Sequence, residues 1–265
     1  MKPDHTQYAC LDRCPQEWVY RHARHLAAPA KPAAFFGQMV HLGVQQLSAG
    51  KLPELPEWES VDSRYTKQRA LTLLLLYQQQ WLEKPLFEIV WNEGYAESAE
   101  ECAIPDRAVR SKVDGLLYAM DLKTTGLYIS GAWQRHFEHN QQVAIQLDVL
   151  ESVLGERIAG FWLDAIHISK TMPKASDLLR AGPMPYSESL RAELRAQRAR
   201  KRMRIAALRE HPEGAERRTE SCMRYTELCP YFDLCKAEPA DREALIQLRV
   251  ERGVLKEEAW EPRLR

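Results

Sequence analysis

The 265-residue chain carries no net charge, no long apolar run and no Gly-x-x-x-x-Gly-Lys-Ser/Thr loop, and each absence narrows its function. Lys and Arg number 37, as do Asp and Glu, which argues against a generic nucleic-acid binder clothed in positive charge. The longest apolar stretch, Ala70 to Tyr77, falls far short of the roughly 20 residues a bilayer-spanning helix needs. The opening residues, MKPDHTQYAC, lack the apolar centre of a secretory signal. The chain therefore reads as cytoplasmic, with no membrane partner. Lacking the phosphate-binding loop, it carries no helicase motor, and processive unwinding would need a partner. Internal repeats and low-complexity tracts are absent too.

What is present is an ordinary globular composition, 45% hydrophobic and 28% charged, long enough to bury a real core. The default expectation is one compact domain over residues 1–265. Six cysteines in a reducing compartment point to metal or redox chemistry rather than disulfides. Charge is unevenly spread. Residues 187–218 hold ten Arg or Lys against five Glu, whereas 83–106 hold seven acids against one Lys, so a neutral molecule can still present an electropositive face.

Along the chain, a helix from Thr6, which can cap it, to about His25 is interrupted by Pro15. A second helix, FFGQMVHLGVQQLSAG, ends at Gly50, and Ser63 can cap a third that runs to Leu82. LFEIVWN is strand-like, the acidic stretch after it is loop, and 109–124 reads as a hairpin turning near Tyr118 and Ala119. NQQVAIQLDVLESVLG returns to a helical period, RIAGFWLDAIHIS is a strong strand, residues 171–186 are a Pro-containing loop, and a basic helix follows over 187–212. This order predicts an α/β fold with a mixed central sheet flanked by helices.

The stretch VRSKVDGLLYAMDLKTTG sets charges among apolar residues, where each is costly unless it meets a partner or a metal. Asp121 and Lys123, two apart on a strand, leave one face of the sheet, and Asp114 on the expected partner strand would sit across from them. Paired carboxylates suit Mg2+ or Mn2+. A metal-bound water is a competent nucleophile at neutral pH, and an ammonium beside it can offset charge growing on a phosphate. His41, in FGQMVH one turn after Gly37, can ligate a metal through neutral imidazole. Glu88 on the preceding strand is a weaker candidate ligand, and Gln142 opens the following helix.

The series Gly-x-x-x-His, Glu, Asp, Asp-x-Lys-Thr and then a helix opening with Gln resembles the RecB-like nucleases of the PD-(D/E)XK superfamily, including many phage-type exonucleases. The likeness runs from CPQEWVYRH through CPYFDLC. It implies a restriction-endonuclease-like core over about 35–170, with His41, Asp114 and Asp121 on divalent metal, Lys123 serving the attacking water and Gln142 matching the motif glutamine. Where many relatives carry Tyr four residues after that Gln, this chain has Gln146.

Cys222, Cys229 and Cys235 are spaced C-x6-C-x5-C. Cys14 is the candidate fourth ligand, since Cys14-Pro15 and Cys229-Pro230 both stand beside aromatic residues; Cys10 is its rival, and Cys102 receives no role. Structural zinc usually takes ligand pairs at shorter intervals, so the spacing leans toward a 4Fe-4S cluster without settling it against zinc or free thiols. The resemblance goes further: one early Cys and three late ones match the iron-sulfur RecB-like nucleases, such as the AddB nuclease domain and the CRISPR-associated adaptation nucleases. A cluster on Cys14 and residues 222–235 would staple the two ends of the chain.

For phosphate contact the candidates are Arg198, Arg200, Lys201, Arg202 and Arg204 on the basic helix, with Tyr128 and Trp133 available to stack on bases. The expected function is a metal-dependent DNA nuclease, an exonuclease acting on DNA ends in recombination or repair, with a helicase or single-strand annealing protein as partner. The competing reading is a non-catalytic iron-sulfur subunit that docks DNA or a partner.

Overall fold

The computed structural model describes residues 2–58, 60–83, 85–224 and 227–258. The longer helices are α1 (His5–Arg13), α2 (Pro32–Ser48), α3 (Lys67–Tyr77), α4 (Gln141–Leu154), α5 (Glu188–Glu210) and α6 (Arg242–Glu251). The main sheet holds β1 (Phe87–Asn92), β2 (Arg107–Ser111), β3 (Leu117–Thr125), β4 (Gly160–His167) and β5 (Leu178–Pro185). The chain divides into two compact units, residues 30–191 and a second made from 1–29 with 192–265. The terminal segments bury an apolar cluster of their own, described below.

In the first unit the strands lie in the order β1-β2-β3-β4-β5, antiparallel except for the parallel pair β3–β4. A parallel pair needs a crossover, and α4 supplies it. This is the expected mixed sheet with flanking helices. Along β3 the side chains alternate. Leu122 joins Ile166 and Leu178 beneath Phe36, Val40 and Val44 of α2 and Leu73, Leu74 and Tyr77 of α3, each contributing about 1.5–3 kcal/mol by burial. Asp121 and Lys123 leave the other face.

Several local readings change. The hairpin turns at Asp114-Gly115, not at Tyr118-Ala119, which are buried within β3. Gly115 has φ +74°, a backbone setting that suits glycine. The expected loop over 171–186 contains β5; its prolines are tolerated because β5 is an edge strand. The acidic loop holds a small antiparallel pair, Ala96–Glu97 with Cys102–Ala103, where Cys102 is buried. Thr66 rather than Ser63 caps α3, accepting from the Arg69 amide. Asn140 caps α4, and Gly155 at φ +66° ends it as the sequence predicts.

In the second unit Asp4, not Thr6, caps α1 through the Gln7 amide at 3.0 Å. Pro15 ends nothing it could have continued: it opens a new short helix, Pro15–Trp18, at the position where its missing N–H costs least. The core is Tyr20, Leu26, Tyr231, Leu234, Ile246 and Leu255, with the Tyr20 and Tyr231 rings stacked at 5.4 Å. Leu26–Ala27 pairs antiparallel with Lys256–Glu257. Among the described residues no helix is long and apolar enough to cross a membrane.

Candidate active site

Gly37 brings α2 close to β3, since a Cβ there would lie 2.8 Å from Thr124 Oγ1. One turn on, His41 Nδ1 stands 3.4 Å from Asp106 Oδ2. Asp106 immediately precedes β2, and the same oxygen accepts the Leu122 amide at 2.6 Å, which fixes it to the strand that carries Asp121 and Lys123. Lys123 Nζ stands 2.6 Å from Asp121 Oδ2. From α4, Gln146 Nε2 donates to Asp121 Oδ1 at 2.9 Å and Gln142 Nε2 reaches the same atom at 3.4 Å.

Burial alone would lower the His41 pKa, but the Asp106 carboxylate outweighs it and raises it. Asp106 is pulled the other way: burial raises its pKa, yet His41, Lys123 and the Leu122 amide together hold it down to about 2. Lys123 is treated as His41 is, with Asp121 and then Asp106 overcoming burial, so its ammonium persists above the ordinary lysine range. Asp106 is therefore a carboxylate at neutral pH, and Lys123 a lasting cation.

Asp121 Oδ2 is sealed from solvent and receives no aligned hydrogen bond, because Lys123 meets it as an ion contact only. Hard oxygens from Asp106 and Asp121 suit Mg2+ or Mn2+, and Asp121 Oδ2, which meets the Lys123 ammonium, has a further lone pair to offer a cation. Lys123 and His41 keep side-chain exposures of 27% and 26%, enough for a phosphate to approach. Glu93 shares a small cavity with His41 and Asp106, and burial followed by the Asp106 charge raises its pKa.

A family model for the PD-(D/E)XK nuclease superfamily matches residues 5–236. The chain belongs to that superfamily. A search of the curated proteins finds no match. Membership in the PD-(D/E)XK superfamily points to divalent-metal nuclease activity, for which Mg2+ or Mn2+ is typical, and to DNA as the class of substrate. An Asp-x-Lys triplet, Asp121-Leu122-Lys123, stands on β3 within the matched residues.

The structure brings together His41, Asp121, Lys123 and Gln142, but not Asp114 or Glu88. Asp114 lies in the hairpin turn, where Oδ1 accepts the Leu116 amide at 2.9 Å and Oδ2 the Tyr118 hydroxyl at 2.8 Å. Its carboxylate shapes the turn. Glu88 is exposed on β1, across from Arg110. Asp106 takes the place expected of Asp114, and the missed signal was the Pro105-Asp106 pair ahead of a strand, with Asp121 on the next.

The other candidates divide as well. Arg198 is 1% exposed, too deep to meet a phosphate. Lys201 pairs with Asp12 and Arg204 with Glu216, so the basic helix is partly neutralised. Tyr128 is exposed, while Trp133 packs edge-on against Phe137 at 5.1 Å. Cys14, Cys222, Cys229 and Cys235 line one cavity of about 150 Å3 in the second unit, whereas Cys10 is buried outside it. Burial raises the Cys229 pKa and pushes that of Cys235 up to about 11. Among the described residues, no three His, Cys, Asp or Glu side chains already stand at ligating positions around one point.

Proposed function

We propose that the chain is a divalent-metal-dependent DNA nuclease, an exonuclease of the RecB-like kind that acts on DNA ends, with Asp106, Asp121 and Lys123 at its centre. The observation that carries this is Lys123, 2.6 Å from the buried Asp121 carboxylate and held protonated by Asp121 and Asp106 together. Asp106 and Asp121 would hold the cation, which supplies Lewis-acid charge and a water acidic enough to attack at neutral pH. Lys123 stays protonated, so it acts as a cation that orients the attacking water and offsets charge gathering on the phosphate oxygens, rather than as a base. Gln142 and Gln146 keep the Asp121 carboxylate turned toward Lys123. His41 helps hold Asp106 ionised.

The same reading places a 4Fe-4S cluster on Cys14, Cys222, Cys229 and Cys235. Four thiols around one cavity support it, since thiolate sulfurs are the ligands such clusters take. Because burial opposes deprotonation of Cys229 and Cys235, loading would release protons and couple to the folding of this unit.

The test is cleavage of end-labelled linear DNA beside a covalently closed circle by anaerobically purified protein, with Mg2+, Mn2+ or EDTA, alongside iron and sulfide analysis of wild type and Cys229→Ala. We expect metal-dependent loss of the linear DNA alone and iron that disappears in the variant. Cutting of the circle would overturn the exonuclease reading, inert protein with either metal the nuclease reading, and an iron-loaded Cys229→Ala the cluster.

A further inference from the structure

A second concave feature lies wholly within the terminal unit. α5 contributes Gln197, Arg200, Lys201 and Arg204, and Asp12 and Arg218 line the same cleft of about 230 Å3. Four cations thus face one carboxylate. Residues three or four apart share a helix face, which is how 197, 200, 201 and 204 come to one side.

The pairing within the cleft is uneven. Lys201 is matched by the Asp12 carboxylate and Arg204 by Glu216 at 2.9 Å. Arg218 donates to the Asp12 main-chain carbonyl, a neutral acceptor. Arg200 is exposed and has no ion-pair partner among the described residues. Two guanidinium charges therefore stay uncompensated. Each presents a planar fork of donors that matches phosphate oxygens two at a time. The cleft is smaller than the roughly 300–1,000 Å3 usual for organic ligands, so it suits one compact anionic group.

We infer that this cleft binds a backbone phosphate of DNA, with Arg200 and Arg218 as its paired donors and Asp12 as the group that holds Lys201 and Arg218 in place. The identity of the phosphate's owner rests on the nuclease reading above; the cleft's preference for phosphate does not. Arg218 also lines the cysteine cavity, so substituting it disturbs two places at once. Arg200 is the cleaner probe.

The experiment is fluorescence anisotropy of a labelled single-stranded oligonucleotide with full-length protein in EDTA, over a KCl series, for wild type, Arg200→Ala and Arg200→Glu. Inorganic phosphate is run as competitor, and wild-type cleavage with metal is scored separately. We expect weaker binding for both variants and a salt slope reduced by about 0.7 for the lost phosphate contact, with wild-type circular dichroism. Unchanged affinity and slope in both variants would overturn the cleft, and wild-type cleavage in the same preparation would leave the nuclease reading intact. Lower slopes with no wild-type cleavage would keep the cleft and remove the nuclease. Phosphate bound by wild type and lost in Arg200→Ala, with DNA affinity unchanged, would assign the cleft to free phosphate and overturn the inference.

Discussion

Two carboxylates are sunk into the same sheet, Asp121 on β3 and Asp164 on β4, and they are furnished in opposite ways. Asp164 pairs in register with Leu122, so it lies on the face that Asp121 avoids. Arg180 donates to both its oxygens at 2.6 and 2.9 Å, Arg107 to Oδ2 at 3.0 Å and the Tyr77 hydroxyl to Oδ2 at 2.5 Å. Arg180 also lies 4.5 Å over the Trp81 ring. Burial would raise the Asp164 pKa, but Arg180 and Arg107 hold it low. Asp121 keeps one oxygen without an aligned donor. A closed network is structural, and an open one retains capacity for a cation. Arg107 follows Asp106 directly, so the closed cluster anchors the point from which Asp106 is presented.

The sharpest way to break this contrast is to disable each carboxylate in turn. Asp121→Asn and Lys123→Ala should lower cleavage by about 100-fold to 1,000-fold or more while leaving the fold stable. Asp164→Ala leaves two buried guanidiniums without their carboxylate and should cost about 3–5 kcal/mol, with activity lost only as the protein unfolds. Urea denaturation and cleavage rates on the same preparations measure both. An Asp164→Ala protein of wild-type stability would erase the distinction.

How much of this the sequence discloses depends on the kind of signal. The Asp121-x-Lys123 pair, β4, α4 with its Gly155 stop, and α5 were legible because period and punctuation agree there. Asp106 is not, because a hairpin placed over 109–124 puts its turn at Tyr118-Ala119. That error places Asp114 on a strand opposite Asp121, whereas the Asp114-Gly115 dipeptide is itself the turn signal. β5 was hidden by prolines that only an edge strand tolerates. The Asp164 cluster was beyond reach, since its members come from four separate elements and no spacing links them. The same holds for the cleft at Arg200, whose other wall includes Leu11 and Asp12 from the far end of the chain.

A milder perturbation sharpens the comparison from the open side. Gln146 is 4% exposed and touches Asp121 rather than the solvent side from which DNA would approach, so it is a positioning residue. Gln146→Leu should lower cleavage by about 10-fold to 100-fold, in the range of lost ligand-orienting contacts at metal sites. It should also raise the Mg2+ concentration needed for half-maximal rate. Gln146→Glu would place a second anion at Asp121 and shift that metal requirement differently from its neutral counterpart. If Gln146→Leu leaves both rate and metal requirement alone, the Asp121 carboxylate is held by Lys123 and Gln142 without it.

The smallest effect is on pH-dependent stability, where the two regions also part. Asp106 has a folded pKa of about 2 against an ordinary 3.8. Its stabilising contribution is therefore complete above the ordinary value and is lost as pH falls through about 2. His41 is raised above 6.5, so its contribution is full below that value and fades as pH climbs through the raised one. The His41–Asp106 pair should stabilise the first unit most between roughly pH 4 and 6.5, with a decline on each side. The Asp164 cluster, whose cations are guanidiniums, should weaken on the acid side and show no decline near neutrality. Unfolding free energies across pH for wild type and His41→Gln test this: removing the imidazole should flatten the alkaline decline and, because His41 is the largest of the groups that hold Asp106 down, shrink the acid one as well. If the alkaline limb persists unchanged in His41→Gln, the His41–Asp106 contact contributes nothing to stability and serves the site only.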